Sequence, residues 1–330
     1  MSHAVHATDT PARAALAGVG ELPVLVLTGP TGAGKTDWAI RLAESAPVEI
    51  VSVDSAQVYR GLDIGTAKPP PALRARIPHH LIDICEPTES YSAGRFVTDA
   101  LAAIRDIHSR RRVPLLVGGT MLYLRSLLHG LASLPQADAP LRARLDARAA
   151  ADGWPALHEE LRRLDPEAAA RIAPGDGQRI QRALEVWYTT GEPISRLQRA
   201  SGVSALAGRP VRYFILAPKT RALLHERIAQ RFEAMMAGGF LDEMKRLRAR
   251  ADLSAAHPSM RAVGYRQLWA HLEGQCSLEE AVRRAVAATR QLAKRQLTWM
   301  RGEALGRWID PQGELSWNRD ICHELERLGL

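Results

Sequence analysis

With 330 residues the chain can bury one large core or two smaller ones, and its 46% hydrophobic content marks it as globular and argues against a disordered or fibrous class. Lys and Arg total 44 against 36 Asp and Glu, and the excess is local: residues 171–301 hold 23 basic and 11 acidic side chains, so the remainder is net acidic and a polyanion is expected on the C-terminal half. Cys85, Cys276 and Cys322 lie far apart without C-x-x-C spacing, which indicates neither a disulfide framework nor a zinc site and makes reduced cytoplasm the expected compartment.

In chain order, residues 1–20 are Ala-rich with Pro11, Gly18 and Gly20, and lack the basic start and long apolar run of a signal peptide. They read as a flexible leader. No later stretch approaches the roughly 18 apolar residues of a membrane span, so no membrane association is expected. Pro23–Thr28 reads as a strand, and the helical run Asp37–Ala46 follows soon after. Between them Gly29, Pro30, Thr31, Gly32, Ala33, Gly34, Lys35 and Thr36 fit G-x-x-x-x-G-K-[ST]. Glycine-rich amides at a helix N-terminus cradle anionic oxygens, the lysine neutralises them, and the hydroxyl of Thr36 is placed to reach Mg²⁺. The loop predicts a phosphate or pyrophosphate site without saying whose phosphate it holds.

Short apolar runs at Val48–Val53, Leu81–Ile84 and Val113–Val117 alternate with helical stretches such as Ala93–Ser109, the rhythm of a parallel sheet covered on both faces. From Ala139 to Arg199 the pattern is helical, broken at Pro174–Gly177 and Gly191–Pro193. Strand character returns at Val211–Leu216, followed by long amphipathic helices at Ala222–Arg250 and Leu278–Arg301. The expected fold is therefore α/β, a P-loop NTPase-like parallel sheet flanked by helices. Residues 21–130 and 206–330 would form a discontinuous catalytic core, and 131–205 a helical insertion. Nothing calls for a second copy, and a monomer is expected.

After the second strand comes Asp54-Ser-Ala-Gln-Val-Tyr-Arg-Gly-Leu-Asp-Ile-Gly-Thr-Ala-Lys68-Pro69. A carboxylate leaving a strand end beside a phosphate loop either holds Mg²⁺ through water or takes a substrate proton. Together with the P-loop, His80–Ile84, Pro114–Tyr123, Arg261–Arg266 and Thr289–Trp299, this block resembles the tRNA dimethylallyltransferase (isopentenyl-tRNA transferase) family, with the motifs in order over about residues 22–309.

The resemblance implies that the loop holds the pyrophosphate of dimethylallyl diphosphate, and that the five-carbon group passes to N6 of the adenosine immediately 3′ of a tRNA anticodon. It implies Asp54 as general base, with Lys35, Thr36 and Mg²⁺, and Arg231 on the leaving diphosphate. Thr120 matches a residue that contacts the reacting groups, although a helix N-cap is the plainer role for a Thr preceding Met121–His129. By the same resemblance Asp54, Ser55, Ala56, Gln57 and Thr120 would contact the tRNA, Gln57 by hydrogen-bonding a flipped adenine edge. Matching tRNA-contact positions are Arg142, then Gln178, Arg179, Ile180, Gln181 and Arg182, then Arg261, Ala262, Val263, Gly264, Tyr265 and Arg266, and finally Lys294, Arg295, Gln296, Leu297, Thr298, Trp299, Met300 and Arg301. Tyr265, Trp269 and Trp299, at helical spacing, read as core rather than as stacking platforms. The other reading of the same loop is a small-molecule kinase using ATP, but kinases of this fold do not combine the Asp54–Pro69 block with Gly118-Gly119-Thr120.

Overall fold

The computed structural model describes residues 22–132, 134–199, 203–311, 321–323 and 325–326, so the expected leader at 1–20 lies outside the described residues. The strands are β1 (Val24–Thr28), β2 (Val48–Val53), β3 (His79–His80), β4 (Val113–Gly118), β5 (Val211–Leu216) and β6 (Gly306–Ile309). They form one parallel sheet in the order β3-β2-β4-β1-β5-β6. Every residue of β1 and β2 is buried. That is why these segments are mostly apolar and β-branched, with buried Glu49 and Ser52 the exceptions in β2: a parallel sheet is covered on both faces by its crossover helices.

The helices before β5 are α1 (Lys35–Ser45), α2 (Pro71–Arg76), α3 (Ala93–Ser109), α4 (Met121–His129), α5 (Ala139–Asp152), α6 (Trp154–Leu164), α7 (Pro166–Arg171), α8 (Gly177–Thr190) and α9 (Ile194–Arg199). After β5 come α10 (Arg221–Ala237), α11 (Phe240–Arg248), α12 (Tyr265–Leu272) and α13 (Leu278–Met300). The chain divides into two compact units, Met1–Leu124 with Gly208–Leu330, and Arg125–Ala207. In the first, Leu25, Leu27, Trp38, Leu42, Ile50, Leu115 and Leu216 pack one core. In the second, Leu145, Leu157, Leu161, Ile180 and Leu184 pack another. Its helix starts are written in the sequence: Asp138, Asp165 and Asp176 each accept the N–H three residues on. Among the described residues no helix is long and apolar enough to cross a membrane.

Two expected elements differ. The edge strand is His79–His80, not Leu81–Ile84, because Leu81 (φ 63°) and Asp83 (φ 57°) are left-handed and cannot extend the ladder. The long helix expected over Ala222–Arg250 is two helices. Gly239 (φ 95°) breaks it and swings Phe240 in against Tyr265, ring centroids 5.0 Å apart.

Sheet register places the site. Thr28 pairs with Gly118 across β1 and β4, and Gly118 pairs with Val53 across β4 and β2. The next residue on each strand, Gly29, Gly119 and Asp54, therefore emerges at one carboxyl-end edge, where open α/β sheets bind ligands. Gly118 allows this approach: a Cβ there would lie 2.0 Å from the Val53 carbonyl.

Candidate active site

Gly34, left-handed at φ 91°, turns the phosphate loop into α1, whose first residue is Lys35. Lys35 Nζ reaches back to the carbonyls of Gly29 (2.8 Å) and Pro30 (3.0 Å). Burial, then the nearby positive charge of Arg231, lowers its pKa to about 8, against a smaller opposing pull from Asp54. An ammonium so poorly compensated is poised to receive an anion. Arg231, half-buried on α10, donates to Thr31 Oγ1 at 3.4 Å; burial lowers its pKa too, again opposed by Asp54.

A cleft of about 510 Å³ opens over this loop, lined by Gly32–Trp38 and by Arg41, Ala67, Arg227, Arg231 and Pro311. Arg41 and Arg227 escaped sequence reasoning. The signal for Arg227 was present, since it stands one helical turn before Arg231 and must share its face. Four cations thus converge on one concavity with Asp37 as the carboxylate on its wall.

Asp54 leaves the end of β2, near enough to Lys35 and Arg231 for its charge to act on both. Its Oδ1 accepts the N–H of Ala56 (2.8 Å) and of Gln57 (3.2 Å), a local turn that fixes the carboxylate. The Thr120 hydroxyl accepts the Ser55 N–H at 3.1 Å, while the Thr120 carbonyl starts α4. Thr120 therefore joins Asp54's turn to the β4 edge, and its side chain does not cap the helix. Gln57 is already engaged: its Oε1 accepts from Ser52 Oγ (3.0 Å) and its Nε2 donates to the Thr66 carbonyl (3.2 Å).

The rest of the Asp54–Pro69 block is scaffold for this corner. Lys68, its side chain 2% exposed, binds the Tyr59 carbonyl and the carboxylates of Asp63 and Asp83. Buried Glu243 on α11 accepts the N–H groups of Asp63, Ile64 and Gly65 and the Tyr265 hydroxyl. Gly65 admits no side chain, since a Cβ would stand 2.2 Å from the Phe240 ring. The sequence showed the block; it did not show this carboxylate beneath it.

The tRNA-contact candidates separate by exposure. In the sheet unit Arg261, Arg266, Lys294, Arg295, Thr298, Trp299 and Arg301 face solvent, Ala262, Val263 and Leu297 are half-buried, and Gly264, Tyr265 and Met300 are buried. Trp269 is core as expected; Trp299, 39% exposed, is not. Gln296 turns inward to the phosphate loop. In the insertion Gln178 and Arg179 are exposed, Ile180 is buried, and Gln181 donates to Asp146 at 2.6 Å.

Arg142 and Arg182 both pair with one buried carboxylate. Arg142 grips Glu185 in a fork (2.8 and 2.9 Å), and Arg182 donates to the same carboxylate (2.5 Å) and to the Pro135 carbonyl (2.8 Å). Burial would raise the Glu185 carboxyl, but bonds from Arg142, Arg182 and the Asp138 N–H outweigh it and hold the group below its ordinary range. Breaking a buried ion pair costs about 3–5 kcal/mol. Arg182 is partly exposed and Arg142 would remain, so Arg182→Ala is expected to cost on the order of 2 kcal/mol. Thermal unfolding checks this: an unchanged transition would show that the pair carries no stability.

A family profile described as IPP transferase matches residues 57–303, and one described as isopentenyl transferase matches residues 22–76. The tRNA dimethylallyltransferase of Alkalilimnicola ehrlichii is 57% identical over 313 residues, 94% of this chain and 95% of its own. That of Bordetella petrii is 56% identical over 311 residues, 89% of this chain and 98% of its own. Among solved structures, the full-length tRNA isopentenylpyrophosphate transferase of Bacillus halodurans matches with a TM-score of 0.67 at 36% identity, covering 94% of this chain and 98% of that one. A eukaryotic dimethylallyltransferase caught acting on tRNA matches with a TM-score of 0.72 at 27% identity, covering 92% and 77%. These relatives are prenyl transferases, which favours that reading of the phosphate loop over a kinase. Motif order, sheet topology and near-full-length similarity agree: this chain belongs to the IPP transferase family.

Proposed function

We propose that the chain is a cytoplasmic, monomeric tRNA dimethylallyltransferase. It moves the dimethylallyl group of dimethylallyl diphosphate onto N6 of the adenosine immediately 3′ of the anticodon, releasing diphosphate. The observation that carries this reading is the meeting of Asp54 with a cationic phosphate cleft at one sheet edge. Adenine N6 is a poor nucleophile because its lone pair is delocalised into the ring. As N6 bonds to C1 of the allyl group and the C1–O bond breaks, Asp54 takes the N6 proton and the cleft receives the growing charge on diphosphate. Lys35, Arg231 and the loop amides supply that stabilisation, with Arg227 and Arg41 at the rim.

Thr36 lines the cleft, and among the described residues no group of three His, Cys, Asp or Glu side chains could hold a metal. That donor set fits a cation carried by diphosphate oxygens with the Thr36 hydroxyl as a ligand, not a protein cage. When bound, Mg²⁺ would neutralise leaving-group charge.

The test is direct. Protein, Mg²⁺, dimethylallyl diphosphate and an unmodified anticodon stem-loop should yield adenosine heavier by one C5H8, without ATP. Failure to add that mass, or a strict need for ATP, would refute the reading.

Lys35 gives the reaction a pH signature. Diphosphate favours the ammonium form, so the lysine's contribution to its affinity is complete below about pH 8 and falls above, by up to roughly tenfold per pH unit for one proton. Arg231 and Arg227 from α10 and Arg41 from α1 line the same cleft, and Asp54 pulls the lysine the other way. KM for dimethylallyl diphosphate should therefore climb on the alkaline side, and Lys35→Arg should flatten the climb. A flat wild-type profile to about pH 9.5 would contradict the role given to Lys35.

A further inference from the structure

Gln296 is the side chain whose position on the helix least suits its neighbours. On α13 Lys294, Arg295 and Thr298 face solvent, as does Arg301 just after it, whereas Gln296 points inward and spends both ends of its amide on two loops of the site. Its Oε1 accepts the Thr31 N–H at 2.9 Å, and its Nε2 donates to the Gly119 carbonyl at 2.9 Å. Thr31 is in turn the residue whose hydroxyl receives Arg231, and Gly119 precedes Thr120, whose hydroxyl holds the Ser55 N–H next to Asp54. Hydrogen bonds and the covalent steps between adjacent residues thus join the proton-accepting side of the pocket to the leaving-group side, with one glutamine at the middle. Gly119 is shaped to this contact, because a Cβ there would lie 2.4 Å from Gln296 Nε2.

We infer that Gln296 is a positioning residue for group transfer: it sets the spacing between the Asp54–Thr120 corner and the phosphate loop with its arginine, and does not itself bind tRNA. The inference rests on the proposed transferase reading. A displacement reaction needs nucleophile, carbon and leaving oxygen held at a fixed separation, and a misplacement of about 1 Å can cost about 10²-fold in rate. An amide suits the task because it offers one acceptor and one donor on a flat, rigid group to an N–H and a C=O that no other described bond satisfies in this way. Glutamate retains the acceptor but turns a second oxygen toward the Gly119 carbonyl.

The experiment compares Gln296→Ala, Gln296→Glu and Gly119→Ala with the wild type, full-length and with Mg²⁺. Turnover at saturating anticodon stem-loop and dimethylallyl diphosphate should fall on the order of 10²-fold in both Gln296 variants, with tRNA dissociation constants within about twofold of wild type. Normal turnover with weakened tRNA binding would make Gln296 a tRNA contact and overturn the inference, as would normal values throughout. Gly119→Ala should be defective, and adding Gln296→Ala to it should cost little more, since the clash partner is gone; losses that simply multiply would refute the contact as the operative one. Gln296→Glu, which keeps the side chain's size, keeps the test valid if Gln296→Ala folds poorly. Binding of inorganic pyrophosphate with Mg²⁺ separates the inference from the reading beneath it. Should the wild type transfer no allyl group, the reading fails, yet pyrophosphate affinity should still drop roughly threefold to tenfold in Gln296→Ala. Equal affinity in wild type and variant would overturn the positioning role.

Discussion

Replacing Asp54 by Asn is expected to lower turnover by about 10²–10⁴-fold while leaving tRNA affinity within about twofold of wild type. The choice of Asn matters. Asp54 Oδ1 accepts the N–H groups of Ala56 and Gln57, and an amide oxygen can keep both bonds. The turn that carries Ser55 to Thr120 is therefore preserved, and what disappears is the oxygen able to accept a proton from adenine N6. Asp54→Ala removes the turn's anchor as well, and should lose at least as much turnover with some loss of order in the block. The two variants together separate geometry from proton transfer. Steady-state turnover and tRNA binding on both are sufficient measurements. Near-normal turnover in Asp54→Asn would sink the general-base assignment and leave the carboxylate a structural cap.

Sequence and structure agree most closely where a residue's role is local. The P-loop is legible because eight consecutive positions specify a turn, a helix start and a charge, and the strand and helix around it follow from apolar runs. The parallel sheet is legible for the same reason: strands buried on both faces are written mostly in Val, Leu and Ile, with Glu49 and Ser52 the polar exceptions in β2. What failed to show was everything decided by long-range pairing. Glu185 gathers Arg142, Arg182 and the Asp138 N–H from distant positions, so no spacing rule could reveal that two basic residues serve a buried carboxylate. Glu243 beneath Asp63–Gly65 and Gln296 against Thr31 are hidden in the same way, across 180 and 265 residues of chain. The short edge strand was misplaced by two residues because left-handed Leu81 and Asp83 carry no Gly or Asn to announce them. The break at Gly238-Gly239 was, by contrast, visible in the sequence and was overridden by an amphipathic pattern that continues on both sides of it.

Arg231→Ala should lower turnover by about 10²–10³-fold, the loss that follows removal of one preorganised donor to a developing anion, equivalent to about 2.7–4 kcal/mol of transition-state stabilisation. The argument rests on where the charge is. Arg231 is half-buried, donates to Thr31 in the phosphate loop and lines the same cleft as Lys35, where the proposed function puts the leaving group. Arg231→Lys should recover only part of the loss, because an ammonium lacks the planar fork that fits two phosphate oxygens. A second consequence follows from electrostatics. Arg231 is one of the influences that lower the Lys35 pKa, so in Arg231→Ala the alkaline rise in KM for dimethylallyl diphosphate should move to higher pH. Arg301, fully on the solvent side at the end of α13, should behave in the opposite manner. Arg301→Ala should weaken tRNA binding and reduce the slope of log affinity against log salt by roughly 0.7–0.9, with turnover at saturating tRNA unchanged. Salt titrations and saturation curves on the two variants decide the matter: if Arg231→Ala instead reduced the salt slope and spared turnover, its guanidinium would belong to the tRNA surface and the leaving group would have to be held by Lys35 and the loop amides alone.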